Sequence, residues 1–537
     1  MSTYKKLTQR EHILQLPDTY IGSRDSHQEW RWIYDAEAMS WREVQFNPGL
    51  FKIFDELIVN ALDHVTRQSA VKDKAKRVTK INVTVTPTEF RVHNDGEGIP
   101  ITMHPEYKVM IPELIFGHLL TSSNYDESEE KTVGGKNGYG AKLTNIYSRE
   151  FSVATSDGTT LYAQTFSDNM SIVGDPVLKP AKGKQFTEVR STPDLPRFYG
   201  AGCAAIPDDM LAVLRTRVID AAALAAAHGC HVYLNETAVP VTSFEKYVRL
   251  FTEGTIFYER CGPRWEVAAV LTRHLHADSV SGVPDDRHIS FVNGIFTKRG
   301  GKHVDAVSRA VLGAFCDGPG KKLDLKPAQL KDAVTFFVNA TIVNPSFDSQ
   351  TKETLTTPAA KFGSVFKISD AFVARLAKDG GLLDEAQAIL DAKLSREAKK
   401  SDGKRTVTVR GIPKLEDATW AGGSKSAECT LILTEGDSAA STAIAGLKVV
   451  GRERYGVFPL KGKILNVKDA TMEKKTKNDE LTRIKRILGL EHGKVYKDVK
   501  KLRYGRVMIM TDQDVDGSHI KGLLINLFHT EWPEVIG

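Results

Sequence analysis

Acidic residues follow two short apolar runs near the end of the 537-residue chain. Glu435 follows the run 431–433, and Asp512, Asp514 and Asp516 follow the run 507–510. Runs this short, bounded by turn residues, predict two buried strands, and an extended backbone would point the three alternating aspartates the same way. Clustered carboxylates repel one another unless a hard cation neutralises them, and oxygen ligands suit Mg²⁺. The spacing predicts a divalent-metal site at a sheet edge; the alternative is a solvated acidic turn.

A second set of polar residues lies on one predicted helix near the start of the chain. Apolar residues recur at helical spacing between positions 51 and 68, namely Ile53, Phe54, Leu57, Ala61, Leu62 and Val65. Glu56, Asn60 and Asp63 stand at i, i+4 and i+7 and share another face. An unpaired amide among apolar neighbours is costly. This polar face is therefore either solvated or lines a polar ligand site.

Two glycine-rich segments follow that helix. Predicted strands at 80–85 and 90–93 lead into a turn that holds Asn94, Gly96 and Gly98, where the backbone can approach a ligand. Segment 134–142 holds four glycines and can present consecutive N–H groups to phosphate, especially if a helix opens after Gly140. Such a loop is weak evidence by itself, and the sequence has no GxxxxGK[ST] motif to support a P-loop.

Composition limits the class of protein. The chain is too long for one core, so we expect two to four domains, and 41% hydrophobic with 26% charged residues is ordinary for a soluble globular protein. Apolar runs are too short to span a membrane and the start lacks a signal-peptide core, so we expect an intracellular protein. Residues 461–506 hold 15 Lys and Arg against 6 Asp and Glu. This excess indicates either a bound polyanion or a solvated basic surface.

Taken together, the motifs resemble a known family. Glu56-x-x-x-Asn60, the Asn94 turn and the loop at 134–140 occur in the order found in GHKL ATPases, and 431–517 resembles a TOPRIM domain. Both in this order are similar to the N-terminal part of a eukaryotic-type type IIA DNA topoisomerase, with FDELIVNALDH, GGKNGYGAK, NPSFDSQTKE, LTEGDSA and TDQDVDGSHIKGL as matching segments. The implied fold is α/β and multi-domain: a GHKL (Bergerat) ATPase sandwich at 1–240, an S5-like transducer domain at 241–400, a linker at 401–428 and an incomplete Rossmann-like TOPRIM domain at 429–537.

The resemblance implies an ATP site. Glu56 would be the general base and Asn60 would hold Mg²⁺, while Gln350 and Lys352, catalytic residues on either side of Thr351, would touch the γ-phosphate from the transducer domain. Asn94 would bind the adenine amino group; His64 stands where the relatives usually have Asn, and its contribution is left open. The other residues implied in nucleotide binding are Tyr4 of an N-terminal strap, Ser122, Ser123, Asn124, Gly135, Lys136, Asn137, Gly138, Tyr139, Gly140, Ala141 and Lys142.

The resemblance also implies how double-stranded DNA is handled. Mg²⁺ would lie beside the scissile phosphate, and residues of the basic segment would approach the DNA backbone; the metal ligands would be Glu435, Asp512 and Asp514 with Asp516 in support, and the DNA contacts Lys461, Lys463 and Asn466. The tyrosine nucleophile of the family lies on a winged-helix domain beyond the TOPRIM segment, and this chain ends before it. We expect ATP hydrolysis and a nucleotide-promoted homodimer, but no DNA cleavage by this chain alone.

Two other functions compete with ATP-dependent double-strand passage. One is an ATP-gated DNA clamp that never cuts, as in MutL-like proteins, which the TOPRIM carboxylates disfavour. The other is a TOPRIM primase or nuclease with an unrelated N-terminus, which Glu56, Asn60 and the glycine-rich loop disfavour. The motif set fits a cellular nuclear enzyme or one from a large DNA virus. The expected location is therefore the nucleus, or the host cell or virion.

Overall fold

The computed structural model describes residues 6–35, 37–119, 121, 130–135, 138–276, 288–400 and 402–536. The chain forms two compact units, Met1–Ala386 and Gln387–Gly537. Both combine helices with β-sheets, which confirms the predicted α/β class. Within the described ranges, no helix is long and apolar enough to cross a membrane. The fourfold division predicted from the sequence is finer than these two units, and its boundaries stay a prediction.

The first unit begins with a hairpin and a large sheet. Strands β1 (His27–Asp35) and β2 (Ala38–Phe46) pair antiparallel. The nine-stranded sheet has the order β11-β10-β3-β4-β9-β5-β6-β7, with β8 also on β6, and β10 runs parallel to β3. Its strands are β3 (Lys80–Val85), β4 (Phe90–Asp95), β5 (Ser148–Ser156), β6 (Thr160–Ser167), β7 (Ile172–Val173), β8 (Val177–Pro180), β9 (Phe186–Pro193), β10 (His231–Leu234) and β11 (Thr237–Ala238). The predicted strands at 80–85 and 90–93 are confirmed, and the second extends to Asp95.

Helices pack on this sheet and carry part of the candidate site. They are α1 (Gln9–Gln15), α2 (Pro48–Ser69), α3 (Ile111–Gly117), α4 (Gly140–Ile146), α5 (Pro196–Tyr199) and α6 (Asp208–Ala226). Helix α2 begins where the Asn47 side chain accepts a hydrogen bond from the Leu50 N–H at 2.9 Å. Its predicted apolar stripe is buried against the sheet and against α6. Helix α4 opens at Gly140, as the glycine-rich sequence predicted.

A second sheet completes the first unit. Its order is β12-β13-β16-β14-β15, in which β14 runs parallel to β16 and the other pairs are antiparallel. The strands are β12 (Phe257–Arg260), β13 (Trp265–Leu271), β14 (His288–Val292), β15 (Ile295–Phe296) and β16 (Val334–Ala340), and the helices are α7 (Phe244–Arg249), α8 (Lys302–Asp317) and α9 (Asp370–Lys378). Strand β14 covers 288–292, and helix α8 begins directly after Gly301. The loop after β16 contains Gln350, Thr351 and Lys352.

The second unit holds a parallel sheet with the order β18-β17-β19. Its strands are β17 (Thr430–Glu435), β18 (Tyr455–Leu460) and β19 (Arg506–Met510); α10 (Leu382–Lys400) leads into the unit, followed by α11 (Gly436–Val450), α12 (Met472–Thr476), α13 (Asp479–Leu488) and α14 (Val515–Glu531). Strand β17 is buried, as predicted. The prediction that the other apolar run is buried is wrong, because β19 is covered on one face only: Val507 and Ile509 pack on the core, while Met508 is 48% exposed.

Candidate nucleotide site and candidate metal centre

The first unit contains a cavity of about 520 Å³ between α2, the edge of the large sheet and the loop after β16. Most of the residues predicted to bind nucleotide line it: Glu56, Asn60, Asn94, Gly135, Gly138, Tyr139, Gly140, Ala141, Lys142, Gln350 and Lys352. Apolar side chains form the remaining wall, among them Val92, Ile99, Ile115, Phe116 and Val189. A cavity of this size, apolar with a few converging polar groups, is typical of a small-molecule site.

Glu56 is held as a buried anion on α2. Its Oε1 lies 2.6 Å from the Lys52 ammonium, and both side chains are about one-twentieth exposed. Burial by itself would raise the pKa of Glu56, but Lys52 and the more distant Lys352 outweigh that effect and hold the pKa at about 2. Gly140 makes room for this carboxylate, since a Cβ there would lie 2.4 Å from Glu56 Oε2. Glu56 is therefore charged at neutral pH and faces the start of α4.

Lys352 reaches the cavity from the second sheet. Its ammonium lies 3.9 Å from Glu56 Oε1 and donates a hydrogen bond to the Gly134 carbonyl at 3.1 Å. The side chain is buried, and burial lowers the pKa of Lys352 although Glu56 opposes that effect. The backbone of Lys352 has φ of 61°, a left-handed conformation that costs a non-glycine residue about 1–2 kcal/mol. Such strain at a residue that converges on a cavity is typical of a functional position.

The neighbours of Lys352 differ in their placement. Gln350 lines the cavity beside it. Thr351 does not: its hydroxyl is hydrogen-bonded to Ser349 Oγ at 2.7 Å, and its methyl group faces Gly22. The structure therefore brings the two outer residues of the predicted tripeptide to the site, and Thr351 supports the loop.

Asp63 anchors the first part of the glycine-rich segment. Its Oδ1 accepts from the Gly134 N–H at 2.7 Å and its Oδ2 accepts from the Gly135 N–H at 3.0 Å. Burial raises the pKa of Asp63 to about 6, although these two hydrogen bonds and Arg67 act in the opposite direction. The Gly134 N–H is thus bound by Asp63 of α2, and the Gly134 carbonyl is bound by Lys352 of the loop after β16. Gly134 therefore connects these two parts of the cavity wall.

Lys142 is a second buried cation in the cavity wall. Its ammonium donates to the Thr121 carbonyl and hydroxyl, both at 2.6 Å, and to the Gly138 carbonyl at 2.7 Å. Burial lowers the pKa of Lys142 to about 8. These acceptors are neutral oxygens, so the positive charge of Lys142 is hydrogen-bonded without being neutralised. An anionic ligand in the cavity would supply the missing charge.

Asn94 is the penultimate residue of β4, at the base of the cavity. Its amide nitrogen lies 2.8 Å from the Asp95 carbonyl oxygen and 3.0 Å from His64 Nδ1. Asp95 itself is engaged elsewhere, because its carboxylate accepts hydrogen bonds from Thr79 and from the Lys80 N–H. Burial lowers the pKa of His64 to about 4, so its imidazole is neutral at physiological pH. Both the His64 and the Asn94 side chains line the cavity.

Asn60 presents an exposed amide to the same cavity, one helical turn beyond Glu56. Oxygen of this type suits Mg²⁺, and the buried ammonium of Lys142 in the wall of the same cavity favours an anionic ligand. The donor set therefore fits a metal bound together with phosphate. Six residues predicted to bind nucleotide lie outside the described residues, namely Tyr4, Ser122, Ser123, Asn124, Lys136 and Asn137.

The second unit brings the predicted metal-site carboxylate of Glu435 next to the backbone of Asp512. Glu435 ends β17, and its Oε2 accepts from the Asp512 N–H at 3.3 Å just after β19. The expectation of an extended backbone from 512 to 516 is wrong, because α14 begins at Val515 and Asp514 caps it by accepting from the Gly517 N–H at 2.7 Å. Across the described part of the chain, no group of three acidic, His or Cys side chains converges to hold a metal ion. The Mg²⁺ site stays a prediction.

Basic and amide residues flank these carboxylates. Lys463 forms an ion pair with Asp516 at 2.8 Å, so that carboxylate faces a cation as the structure stands. Asn466 Oδ1 accepts from Asn526 Nδ2 at 2.7 Å. The Lys461 N–H donates to Glu480 at 3.1 Å, and its side chain is exposed. The predicted roles of Lys461, Lys463 and Asn466 in DNA contact stay predictions.

Sequence reasoning missed two functional positions. Lys52 lies four residues before Glu56 on the same helix, and that spacing is itself a signal for an ion pair; its burial depends on the tertiary fold. Asp63 was placed on the polar face without a role. Its acceptors lie 71 residues from the Gly134 N–H in sequence, a contact that no local pattern indicates.

Comparison with known proteins agrees with this arrangement. Residues 47–169 match a family model described as histidine kinase-, DNA gyrase B- and HSP90-like ATPase, residues 279–406 match DNA gyrase B, and residues 430–535 match the Toprim domain. The solved ATPase region of Saccharomyces cerevisiae topoisomerase II is 40% identical with a TM-score of 0.64, and the similarity covers 72% of this chain and 98% of that one.

Whole-length relatives are similar across both units. DNA topoisomerase 2 of Candida glabrata is 44% identical over 99% of this chain and 38% of the relative. DNA topoisomerase 2-alpha of Mus musculus is 42% identical over 99% of this chain and 35% of the relative. The chain therefore spans less than two fifths of the length of these curated relatives.

Proposed function

This chain belongs to the type II DNA topoisomerase family, as its N-terminal ATPase, gyrase B-like and Toprim region, and from that premise we propose that it binds and hydrolyses ATP in the cavity around Glu56. One observation carries the proposal. Lys352, from the second sheet, reaches both Glu56 and the carbonyl of Gly134. A single cavity thus contains the buried carboxylate of Glu56 and the cation of Lys352, which come from two parts of the fold. Loss of the γ-phosphate would change the electrostatic surroundings of both groups.

The charges in the cavity support triphosphate binding. Lys142 and Lys352 are buried, and the pKa of each is lowered mainly by burial, so each gains free energy when an anion enters. The apolar wall from β4 and β9 gives a planar base a surface to pack against. Asn94, at the base of that wall, would bind the adenine amino group.

Hydrolysis needs a group that orients and deprotonates water. Glu56 has a pKa of about 2, which makes it a weak proton acceptor in this state. A triphosphate brings negative charge next to the carboxylate and draws Lys352 toward itself. Both effects raise the pKa of Glu56. Binding of the substrate would therefore convert an ion-paired carboxylate into a competent general base.

Mg²⁺ would be held by the Asn60 side-chain oxygen together with the phosphates, and it would neutralise charge that develops on the phosphoryl oxygens. The chain's own residues do the rest of the positioning. Asp63 fixes the N–H groups of Gly134 and Gly135, so these two residues are held in place before the substrate arrives. Such preorganisation lowers the cost of binding and of reaching the transition state.

The activity of the whole protein would be ATP-dependent passage of one DNA duplex through another, which relaxes and decatenates DNA. The second unit would contribute Mg²⁺ at Glu435 and Asp512, with Asp514 and Asp516 near it, and would contact DNA through its basic segment. Two copies would form a nucleotide-promoted homodimer, since a gate that closes needs two halves. The tyrosine nucleophile would lie on a winged-helix domain of the full-length protein. These assignments rest on the family and on the charges around β17 and β19.

The test is Mg²⁺-dependent ATP hydrolysis by the chain beside a Lys352→Met variant, with mass measured in a non-hydrolysable ATP analogue. Lys361→Met is the matched control, because Lys361 is exposed on the same loop region. We expect Lys352→Met to lower kcat at least tenfold while Lys361→Met behaves like the parent, and the mass to double with the analogue. Equal turnover in Lys352→Met and Lys361→Met would refute the proposed role of the second sheet in the ATP site.

A further inference from the structure

His64 lies next to Asn94 on the cavity side of α2, and the contact between them fixes which way the Asn94 amide faces. The Asp95 carbonyl oxygen, 2.8 Å from the Asn94 side chain, can only accept a hydrogen bond, so the atom next to it is the amide nitrogen. The same nitrogen lies 3.0 Å from His64 Nδ1. Both amide hydrogens are then used, and no described residue donates to Asn94 Oδ1.

The geometry also fixes the tautomer of His64. Because the Asn94 nitrogen is a donor, His64 Nδ1 has to accept, and the ring proton is on Nε2. Burial of the ring favours its neutral form. The Asn94 amide is thus held by two acceptors, the Asp95 carbonyl on one side and the imidazole on the other. Its oxygen is the one atom of the amide left without a described partner, and Asn94 lines the cavity.

We infer that His64 is a positioning residue for base selection: it holds the Asn94 oxygen toward the base, where that oxygen accepts from the 6-amino group of adenine and opposes the oxygen of a 6-oxopurine. The inference deepens the proposed function and rests on ATP binding in this cavity. With the imidazole acceptor removed, the Asn94 amide loses one of its two constraints. A half turn of the amide, which offers its nitrogen to the base, would then be opposed by the Asp95 carbonyl alone, and a 6-oxopurine would be rejected less strongly.

Inosine triphosphate is the suitable probe, because it replaces the 6-amino group of ATP by oxygen without the additional 2-amino group of guanine. The measurement is kcat/KM for ATP and for inosine triphosphate in the parent chain, His64→Phe and His64→Asn. Phenylalanine keeps a ring of similar size without a nitrogen acceptor, whereas the amide oxygen of asparagine can replace Nδ1. We expect the ATP preference to fall about tenfold in His64→Phe, the effect of one buried hydrogen bond, and to persist in His64→Asn.

A purely structural role of His64 would lower kcat/KM for both nucleotides equally, and an unchanged ATP preference in a folded His64→Phe would overturn the inference. If His64→Phe does not fold, His64→Leu gives the same comparison. An Asn94→Asp background supplies an independent check, because a carboxylate has no amide orientation to set: there, His64→Phe should leave the nucleotide preference unchanged. Failure of the proposed function would look different, since the parent chain would then neither bind nor hydrolyse ATP.

Discussion

Replacement of Lys52 by methionine is the perturbation whose size follows most directly from the structure. The substitution removes the ammonium group that lies 2.6 Å from Glu56. The Lys352 ammonium, 3.9 Å from Glu56, is unchanged. Methionine fills a similar volume, so lost charge dominates over lost packing. Glu56 would remain as a buried carboxylate with one distant partner, and helix α2 would be destabilised.

The magnitude comes from the pKa of Glu56, which falls from an ordinary 4.5 to about 2 in the folded chain. One pH unit corresponds to about 1.4 kcal/mol, so the charged form is stabilised by roughly 3 kcal/mol. Breaking a buried ion pair costs about 3–5 kcal/mol in other proteins. Since Lys352 remains, we expect the lower value: a loss of about 3 kcal/mol in the opening free energy of α2.

The pH dependence of this effect has a defined sign. A carboxyl whose folded-state pKa is depressed contributes its full stabilisation above its ordinary pKa, and the stabilisation is lost as pH falls from about 4.5 toward 2. Between pH 6 and pH 8 the contribution of Glu56 is therefore constant. The destabilisation by Lys52→Met should be the same at both values.

Hydrogen exchange followed by mass spectrometry is the suitable assay, because peptides from Pro48–Ser69 report the opening of α2 without requiring the whole chain to unfold in one step. Lys52→Arg, which keeps the charge, is the matched control. A double-mutant cycle with Glu56→Gln isolates the pair, and we expect a coupling free energy of about 2–3 kcal/mol. A coupling below about 0.5 kcal/mol, typical of an exposed pair, would refute the assignment of Glu56 as a lysine-stabilised anion.

Three other changes have defined outcomes. The pKa of Asp63 is raised to about 6, so Asp63 loses its charge and its hydrogen bonds to Gly134 and Gly135 weaken as pH falls through 6. The KM for ATP should therefore rise over this pH range. Asp63→Asn should have the higher KM already at pH 8, and its KM should not change with pH. Gly140→Ala would place a methyl 2.4 Å from Glu56 Oε2, and hydrolysis should fall at least a hundredfold with α4 still folded by hydrogen exchange. Lys463→Ala frees Asp516 from its ion pair and should weaken DNA binding in a filter assay, more at 50 mM than at 200 mM salt, whereas Lys477→Ala should not.

Local sequence patterns were enough to predict the helix and strands that hold most of the site residues. Helix α2 was predictable because its apolar residues recur at helical spacing, and the same spacing placed Glu56, Asn60 and Asp63 together. Strands β3 and β4 alternate at period two, and their boundaries agree with the structure to within two residues. The resemblance to a family, rather than any pattern, identified Gln350 and Lys352.

Contacts between residues distant in sequence could not be predicted from local sequence patterns. The Lys352 ammonium meets the Gly134 carbonyl across 218 residues, and only the packing of two sheets determines that distance. Strand β19 looked buried because its residues are apolar, yet only alternate residues of this strand pack on the core. The alternating aspartates after it suggested an extended backbone. Instead, the Asp514 side chain accepts a hydrogen bond from the Gly517 N–H and caps helix α14.

In the proposed function Glu56, supported by Lys52 of α2 and Lys352 of the loop after β16, activates water for ATP hydrolysis. The most direct test is Mg²⁺-dependent turnover of ATP by the parent chain and by Glu56→Gln, measured together with the affinity for a non-hydrolysable ATP analogue. We expect Glu56→Gln to bind the analogue with an affinity within a few-fold of the parent chain. Its rate of ATP hydrolysis should fall by at least about a hundredfold, within the range expected for loss of a general base. Hydrolysis by Glu56→Gln at the parent rate would contradict the proposed role of Glu56.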